Sequence, residues 1–462
     1  MKKNILILLM IFVLAASLAA CTVNLSPESA VDGDEPAVAP LPRDIGGVDG
    51  LPYYADGSIK GEGMPSVAGK SRLDYYGEGG TLDSAEEAGN GTEPKAGTLT
   101  ACVYDDHEYF AYWQGLLTST QEGKGQFADF YEKYAFDALR QIKVVVEDRP
   151  GAVVTLNNGN ETLSSARTDN AGVAYLYAPR TMDGLKVTTS HSILADILEK
   201  PVEGDTVIFT REDIGGENFD KFDRVELMFV IDTTGSMGDE INYLKEEIDY
   251  VIANVKEQTS AEVSLAIMVY RDATDDYVTL YSDFSTDIAK QQAFLREQYA
   301  AGGGDFEEAV DAALTEAVNK QWSAKTTKII IHVADAPAHD KDVETWNAAV
   351  ATAAEKGIRI VSVASSGIDK KTEYFFRSQS LLTGGVYVYL TDDSGIGGSH
   401  LEATVQERPQ VEYLNNALVR VIKALHEGDH NITVMPEHQP DEVAPADDEQ
   451  GDAPAQPSPD EE

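Results

Sequence analysis

The chain has 462 residues, enough for two or three domains, and 42% are hydrophobic, enough for globular cores. Its 79 acidic residues against 36 basic give a net charge of -43. That excess argues against nucleic acid or anionic lipid as a partner surface.

Lys2 and Lys3 precede an apolar run over residues 5–20 that only Ser17 interrupts. Its charge and length are those of a secretion signal, and it is too short for a spanning helix. It ends Leu18-Ala19-Ala20-Cys21, which resembles the bacterial lipobox. The resemblance implies cleavage before Cys21 and a diacylglycerol on its sulfur. The protein would then sit at the cell membrane on the extracytoplasmic face, held by lipid. An ordinary signal peptide followed by a chance cysteine is the plainer alternative. With Cys21 so used, Cys102 has no partner and is expected as a buried small hydrophobe.

Residues 22–97 are rich in Gly, Pro, Ser and acidic side chains, and read as a disordered tether. Residues 98–140 are aromatic-rich, helical or irregular. Phe127, Phe130, Tyr131 and Tyr134 recur at helical spacing, which favours core packing over a carbohydrate platform. Residues 141–210 alternate short strands with turns and predict a small all-β sandwich. Asp148-Arg149-Pro150-Gly151-Ala152 and Thr168-Asp169-Asn170-Ala171-Gly172 resemble the two turns of carboxypeptidase-regulatory-like modules, which implies a spacer.

Residues 224–428 change texture. Strands are expected at 225–231, 263–270, 277–281, 328–334, 358–364 and 385–389. Helices are expected at 238–257, 287–299, 306–321, 343–356, 370–382 and 411–426. Buried strands separated by amphipathic helices mean an α/β fold, a doubly wound and mostly parallel sheet. The link over 271–276 is too short for a crossover, so one edge strand is antiparallel. Residues 429–462 are acidic and proline-rich, lack Lys and Arg, and read as a disordered tail.

The apolar run 225–231 stops at Asp232, Thr234 and Ser236, whose alternating oxygens can converge at the carboxyl edge of a sheet. Asp335 ends the strand 328–334, and Asp305 ends the run Gly302-Gly303-Gly304. An all-oxygen shell suits a hard cation. Asp232-x-Thr234-Gly235-Ser236-Met237 resembles the first motif of the metal-ion-dependent adhesion site of von Willebrand factor A domains. The resemblance extends over residues 225–428 and implies a Rossmann-like fold with a divalent cation. Mg²⁺ is expected first, with Mn²⁺ or Ca²⁺ as alternatives, on Asp232, Thr234, Ser236, Asp305 and Asp335. Asp305 stands where that family usually has threonine, which makes the site more anionic. Arg271, Asp272, His339, Ser394 and His400 are expected on the rim. The implied function is metal-dependent binding of a protein partner, without catalysis. A haloacid-dehalogenase-type phosphatase is the enzyme alternative, with Asp232 as nucleophile, Asp335 and Asp340 as its acidic pair and Lys328 as its phosphate lysine. A structural envelope lipoprotein, whose metal only braces the fold, is the third.

Overall fold

The computed structural model describes residues 94–436 apart from 121, 122, 137, 192–195, 217 and 218. The signal segment, Cys21, nearly all of the tether and residues 437–462 lie outside the described residues. The chain opens with β1 (Thr100–Tyr104), α1 (Phe110–Leu117), the short pair β2 (Ser119–Thr120) and β3 (Gly123–Lys124), and α2 (Ala128–Tyr134). Seven strands follow: β4 (Arg140–Val146), β5 (Val153–Asn158), β6 (Glu161–Arg167), β7 (Val173–Ala178), β8 (Leu185–Ser190), β9 (Ile197–Pro201) and β10 (Thr206–Phe209). The α/β part then runs β11 (Arg224–Asp232), α3 (Ile241–Thr259), β12 (Glu262–Tyr270), β13 (Thr279–Ser285), α4 (Ile288–Arg296), α5 (Val310–Val318) and β14 (Thr327–Ala334). It closes with α6 (Val343–Lys356), β15 (Ile358–Ala364), α7 (Lys370–Thr383), β16 (Tyr387–Leu390), β17 (Glu412–Tyr413) and α8 (Leu414–Glu427).

The main sheet has the order β13-β12-β11-β14-β15-β16-β1-β17. Strands β12, β11, β14, β15 and β16 are parallel, and β13 lies antiparallel on β12, as its short link requires. β11, β14 and β15 are aliphatic-rich because they are buried on both faces almost throughout. One face carries Leu244, Ile248, Val251 and Val255 of α3 with Leu418, Val421 and Ile422 of α8. The other carries α5, α6 and α7, through Leu314, Trp346 and Phe375. Asp369 caps α7 by accepting from the Thr372 amide, and Gly357 ends α6 in the left-handed conformation that favours glycine.

Three expectations are corrected here. The aromatic segment contains a strand: β1 pairs antiparallel with both β16 and β17. The sheet therefore has antiparallel pairing at both ends, not at one edge strand alone. Sequence distance hid this, because β1 and β16 are far apart in the chain and only long-range pairing reveals them. The segment's rings do pack in the core, as expected: Trp113, Phe127 and Phe136 are buried around Tyr374. Cys102 is likewise buried. The tail does not leave the molecule at residue 429. Ile432 is buried in the α8 face and Val434 accepts from the Gln410 amide at 2.8 Å. Those two aliphatic residues distinguish this stretch from the acidic remainder.

Residues 140–209 form a three-stranded sheet, β10-β4-β7, and a four-stranded sheet, β6-β5-β8-β9. Val144, Val154, Leu156, Leu176, Val187 and Phe209 form one apolar cluster between them. This unit is inserted between β1 and β11. It touches the α/β part through Asn170, which donates to the His426 carbonyl at 2.7 Å, and Tyr177, which donates to the Leu381 carbonyl at 2.8 Å.

Candidate metal centre

Register brings the strand ends together. Asp232 pairs with Tyr270 on one side, and Ile231 with Val333 on the other, so Asp232 and Asp335 emerge at the same carboxyl edge. Asp232 is fully buried. Its Oδ1 accepts from the Thr234 amide at 2.8 Å and the Thr234 hydroxyl at 2.7 Å, and that hydroxyl lies 3.2 Å from Ser236 Oγ. Thus the turn that ends β11 orders the first three oxygens before any ligand arrives.

The glycine run folds over this turn. Gly302 and Gly303 have φ of +81° and +80°, where a side chain is strained. A Cβ on Gly303 would stand 3.0 Å from Glu308 Oε1 and 3.5 Å from Thr234 Cβ. The Gly235 amide donates to the Gly302 carbonyl at 3.2 Å, and the Ala301 amide to the Thr233 carbonyl at 3.0 Å. Close backbone approach, rather than flexibility, is what these glycines provide.

Asp305 is exposed and faces His339, unlike the buried Asp232 and Asp335. Its side chain is 62% exposed and lies 3.5 Å from His339 Nε2. Glu308, three residues on, is the buried carboxylate of this loop, 3% exposed and tied by its amide to the Pro337 carbonyl at 3.1 Å. Sequence reasoning missed it, because Glu307 and Glu308 look alike as the acidic start of a helix.

Three buried oxygens here accept no hydrogen bond: Asp232 Oδ2, Asp335 Oδ1 and Glu308 Oε2. Burial, then the charge of Asp335, raises the Asp232 carboxyl above its usual range. Burial also raises Asp335, and the Ser236 hydroxyl partly offsets this. Glu308 is pushed up to about 9 by burial and by the charges of Asp232, Asp272, Asp335 and Asp275. Crowded carboxylates with unsatisfied oxygens are costly unless a cation joins them. Asp232, Thr234, Ser236 and Asp335 therefore offer oxygens of the kind a hard divalent ion takes, with Glu308 near enough to feel the charges of both aspartates.

The rim is assembled differently from expectation. Arg271 is buried, not displayed: its Nε donates to the Thr233 carbonyl at 3.1 Å and its Nη2 to the Tyr299 carbonyl at 2.9 Å. Its guanidinium also lies over Tyr277 and Tyr299. It braces the loops because a long cation beneath two carbonyls and two rings loses little on burial. Asp272 and His339 do lie at this edge, 3.9 Å apart. His400 is held between Asp392, at 2.8 Å, and the buried Glu240, at 3.1 Å. Burial lowers its pKa, but those two hydrogen bonds raise it on balance. Ser394 is used within its own loop, where its Oγ accepts from the Ile396 amide at 3.2 Å. The phosphatase residues are not gathered. Lys328 begins β14 while Asp335 follows its end, about 20 Å away at strand rise. Asp340 pairs with Lys371 at 2.9 Å and accepts from the Tyr134 hydroxyl at 2.6 Å.

Residues 226–402 match the family model of the von Willebrand factor A domain. Over 184 residues the chain is 29% identical to an ariadne-like RING finger protein of Acanthamoeba polyphaga mimivirus, covering 36% of this chain and 18% of that protein. Over 216 residues it is 26% identical to an alpha-protein kinase of Dictyostelium discoideum, covering 45% of this chain and 33% of that one. The chain thus spans a third or less of these relatives' lengths. Among solved structures it is similar to the VWA domain of SpRpn10 (12% identity, TM-score 0.27, 36% of this chain and 87% of that one). It is also similar to the PilB minor pilin from Streptococcus sanguinis (10% identity, TM-score 0.30, 70% of this chain and 98% of that one).

Proposed function

We propose that the von Willebrand factor A domain makes this chain a divalent-cation-dependent protein-binding module without catalysis, carried outside the cytoplasm by a lipid on Cys21. The observation that carries the metal dependence is the set of unpartnered buried oxygens on Asp232, Asp335 and Glu308. Asp232, Asp335 and Glu308 would hold the ion, with Thr234 and Ser236 supplying hydroxyls. A bound ion would neutralise the crowded carboxylates and offer an open position to an oxygen of the partner. Mg²⁺ is the first choice for an all-oxygen shell, with Mn²⁺ or Ca²⁺ close behind. The inserted pair of sheets reads as a β-sandwich spacer of the carboxypeptidase-regulatory-like type.

The reading is tested on the intact chain. Calorimetric titration with Mg²⁺ should give one saturable site that Asp232→Asn removes. Capture from envelope extract should retain a protein with Mg²⁺ and release it with chelator. Retention indifferent to both chelator and Asp232→Asn would refute metal-dependent binding. For the anchor, Cys21→Ser should leave a chain that no longer fractionates with membranes. Unchanged fractionation would refute lipidation.

A further inference from the structure

Beside the proposed centre, three loops bring together a different donor set. Asp272 follows β12, Asp305 ends the glycine run and His339 lies in the loop after β14. His339 Nε2 is 3.5 Å from Asp305 Oδ1 and 3.9 Å from Asp272 Oδ1. All three donor atoms lie within 4.8 Å of one another. Asp272 is 5% exposed, and its Oδ1, the atom nearest His339, is buried without a hydrogen-bond partner.

We propose that Asp272, Asp305 and His339 form a second divalent-cation site, one that selects a nitrogen-accepting ion such as Zn²⁺ or Co²⁺ over Mg²⁺. The spacing supports this. Distances of 3.5 and 3.9 Å exceed those of good N–H···O bonds. Ligands about 2.0–2.2 Å from a tetrahedral ion stand roughly 3.4 Å apart, close to what is seen. Imidazole with two carboxylates is a ligand set for zinc-like ions, whereas Mg²⁺ prefers oxygen alone.

Charge supports it as well. Asp232, Asp335, Glu308, Asp272, Asp275 and Asp305 share this edge, and Asp272 and Asp275 both act on Glu308. Arg271 is committed to backbone carbonyls. Among the described residues, no Lys or Arg pairs with any of these acids, and His339 lies nearest to Asp272 and Asp305. One dication at Asp232 leaves the Asp272 side of the cluster uncompensated. The exposure of Asp305 gives an ion an entry path and leaves positions for water. Once filled, the site ties the glycine loop to the ends of β12 and β14.

The test titrates the intact, untagged chain with Co²⁺ in Mg²⁺-saturated buffer and follows visible absorption. The parent should show one saturable signal. His339→Ala should abolish it while leaving Mg²⁺ calorimetry unchanged, which also shows that the variant folds. Asp232→Asn should abolish Mg²⁺ binding and keep the Co²⁺ signal. No saturable signal in the parent, or an undiminished one in His339→Ala, would overturn the site. Loss of the signal in both variants would overturn it too, since the two sets would then be one shared centre. If Mg²⁺ never binds but the His339-dependent signal persists, the primary reading fails and this one stands.

Discussion

Replacing Asp232 by asparagine should move stability in opposite directions with and without metal. In the metal-free chain Asp232 is fully buried, and its Oδ2 accepts nothing. An unsatisfied buried group of this kind costs ~1–3 kcal/mol. Asparagine keeps the acceptor used by the Thr234 amide and hydroxyl. It also removes the charge that opposes Asp335. The variant should therefore be more stable than the parent in chelator, by ~1–3 kcal/mol. For a domain of about 150–250 residues each kcal/mol moves the melting temperature by roughly 2–4 °C. The rise should be about 2–12 °C. At a thousand times the dissociation constant, Mg²⁺ should stabilise the parent by about 4.1 kcal/mol and the variant not at all, which reverses the order. Differential scanning calorimetry of both proteins in chelator and in Mg²⁺ reads this crossing. A variant less stable than the parent in chelator, or one gaining as much from Mg²⁺, would refute the reasoning.

Glu308→Gln should weaken Mg²⁺ binding at least tenfold by calorimetry, whereas Asp305→Thr should leave it within about twofold, since Asp305 faces His339. Arg377→Leu should destabilise the fold by ~3–5 kcal/mol in urea, because it strands Asp106 in the core while Glu373 keeps Lys370; a loss below about 1 kcal/mol would show the Asp106 charge otherwise compensated. Burial pushes Asp105 up to about 8, so the folded chain keeps a proton that the unfolded chain releases near pH 4. That contribution is fully present below the unfolded value and is lost as pH rises through about 8. Asp105→Asn should flatten this decline, measured as the difference between parent and variant melting temperatures from pH 5 to 9.

The sequence was most legible where burial is two-sided. Short runs rich in β-branched and other aliphatic residues, ended by turn residues, placed β11, β14 and β15 almost to the residue. The first motif was legible for a local reason: Asp232, Thr234 and Ser236 lie within one turn and bond to one another. What failed depended on distant chain. β1 is five residues long, and its partner β16 lies far along the sequence. Asp305 looked like the ligand because it follows the glycines directly. The positive φ of Gly302 and Gly303 instead turns the chain so that Glu308 is buried beside Thr234. Arg271 reads as a rim cation from its place after β12, and only the carbonyls of Thr233 and Tyr299 reveal that it is a brace.

Exchanging Asp305 for Glu308 changes what the loaded centre can attract. With Asp232, Asp335 and Glu308 all ionised, three carboxylates around a dication leave one net negative charge. With only Asp232 and Asp335 bound to the dication, the centre is neutral. Neither state draws in an acidic side chain as a positively charged centre would. The acids that neither proposed ion would hold, Asp275, Asp239 and Glu240, add to the repulsion, and the whole chain carries -43. The expected partner therefore presents a neutral oxygen to the metal and a basic surface to the rim. Attraction between exposed charges is screened over roughly 8–10 Å at physiological salt, so the association rate should fall as salt rises. Surface plasmon resonance of the captured partner reads this directly. A rate insensitive to salt, or a partner whose binding depends on one of its own acidic residues, would refute the charge argument while leaving the metal centre standing.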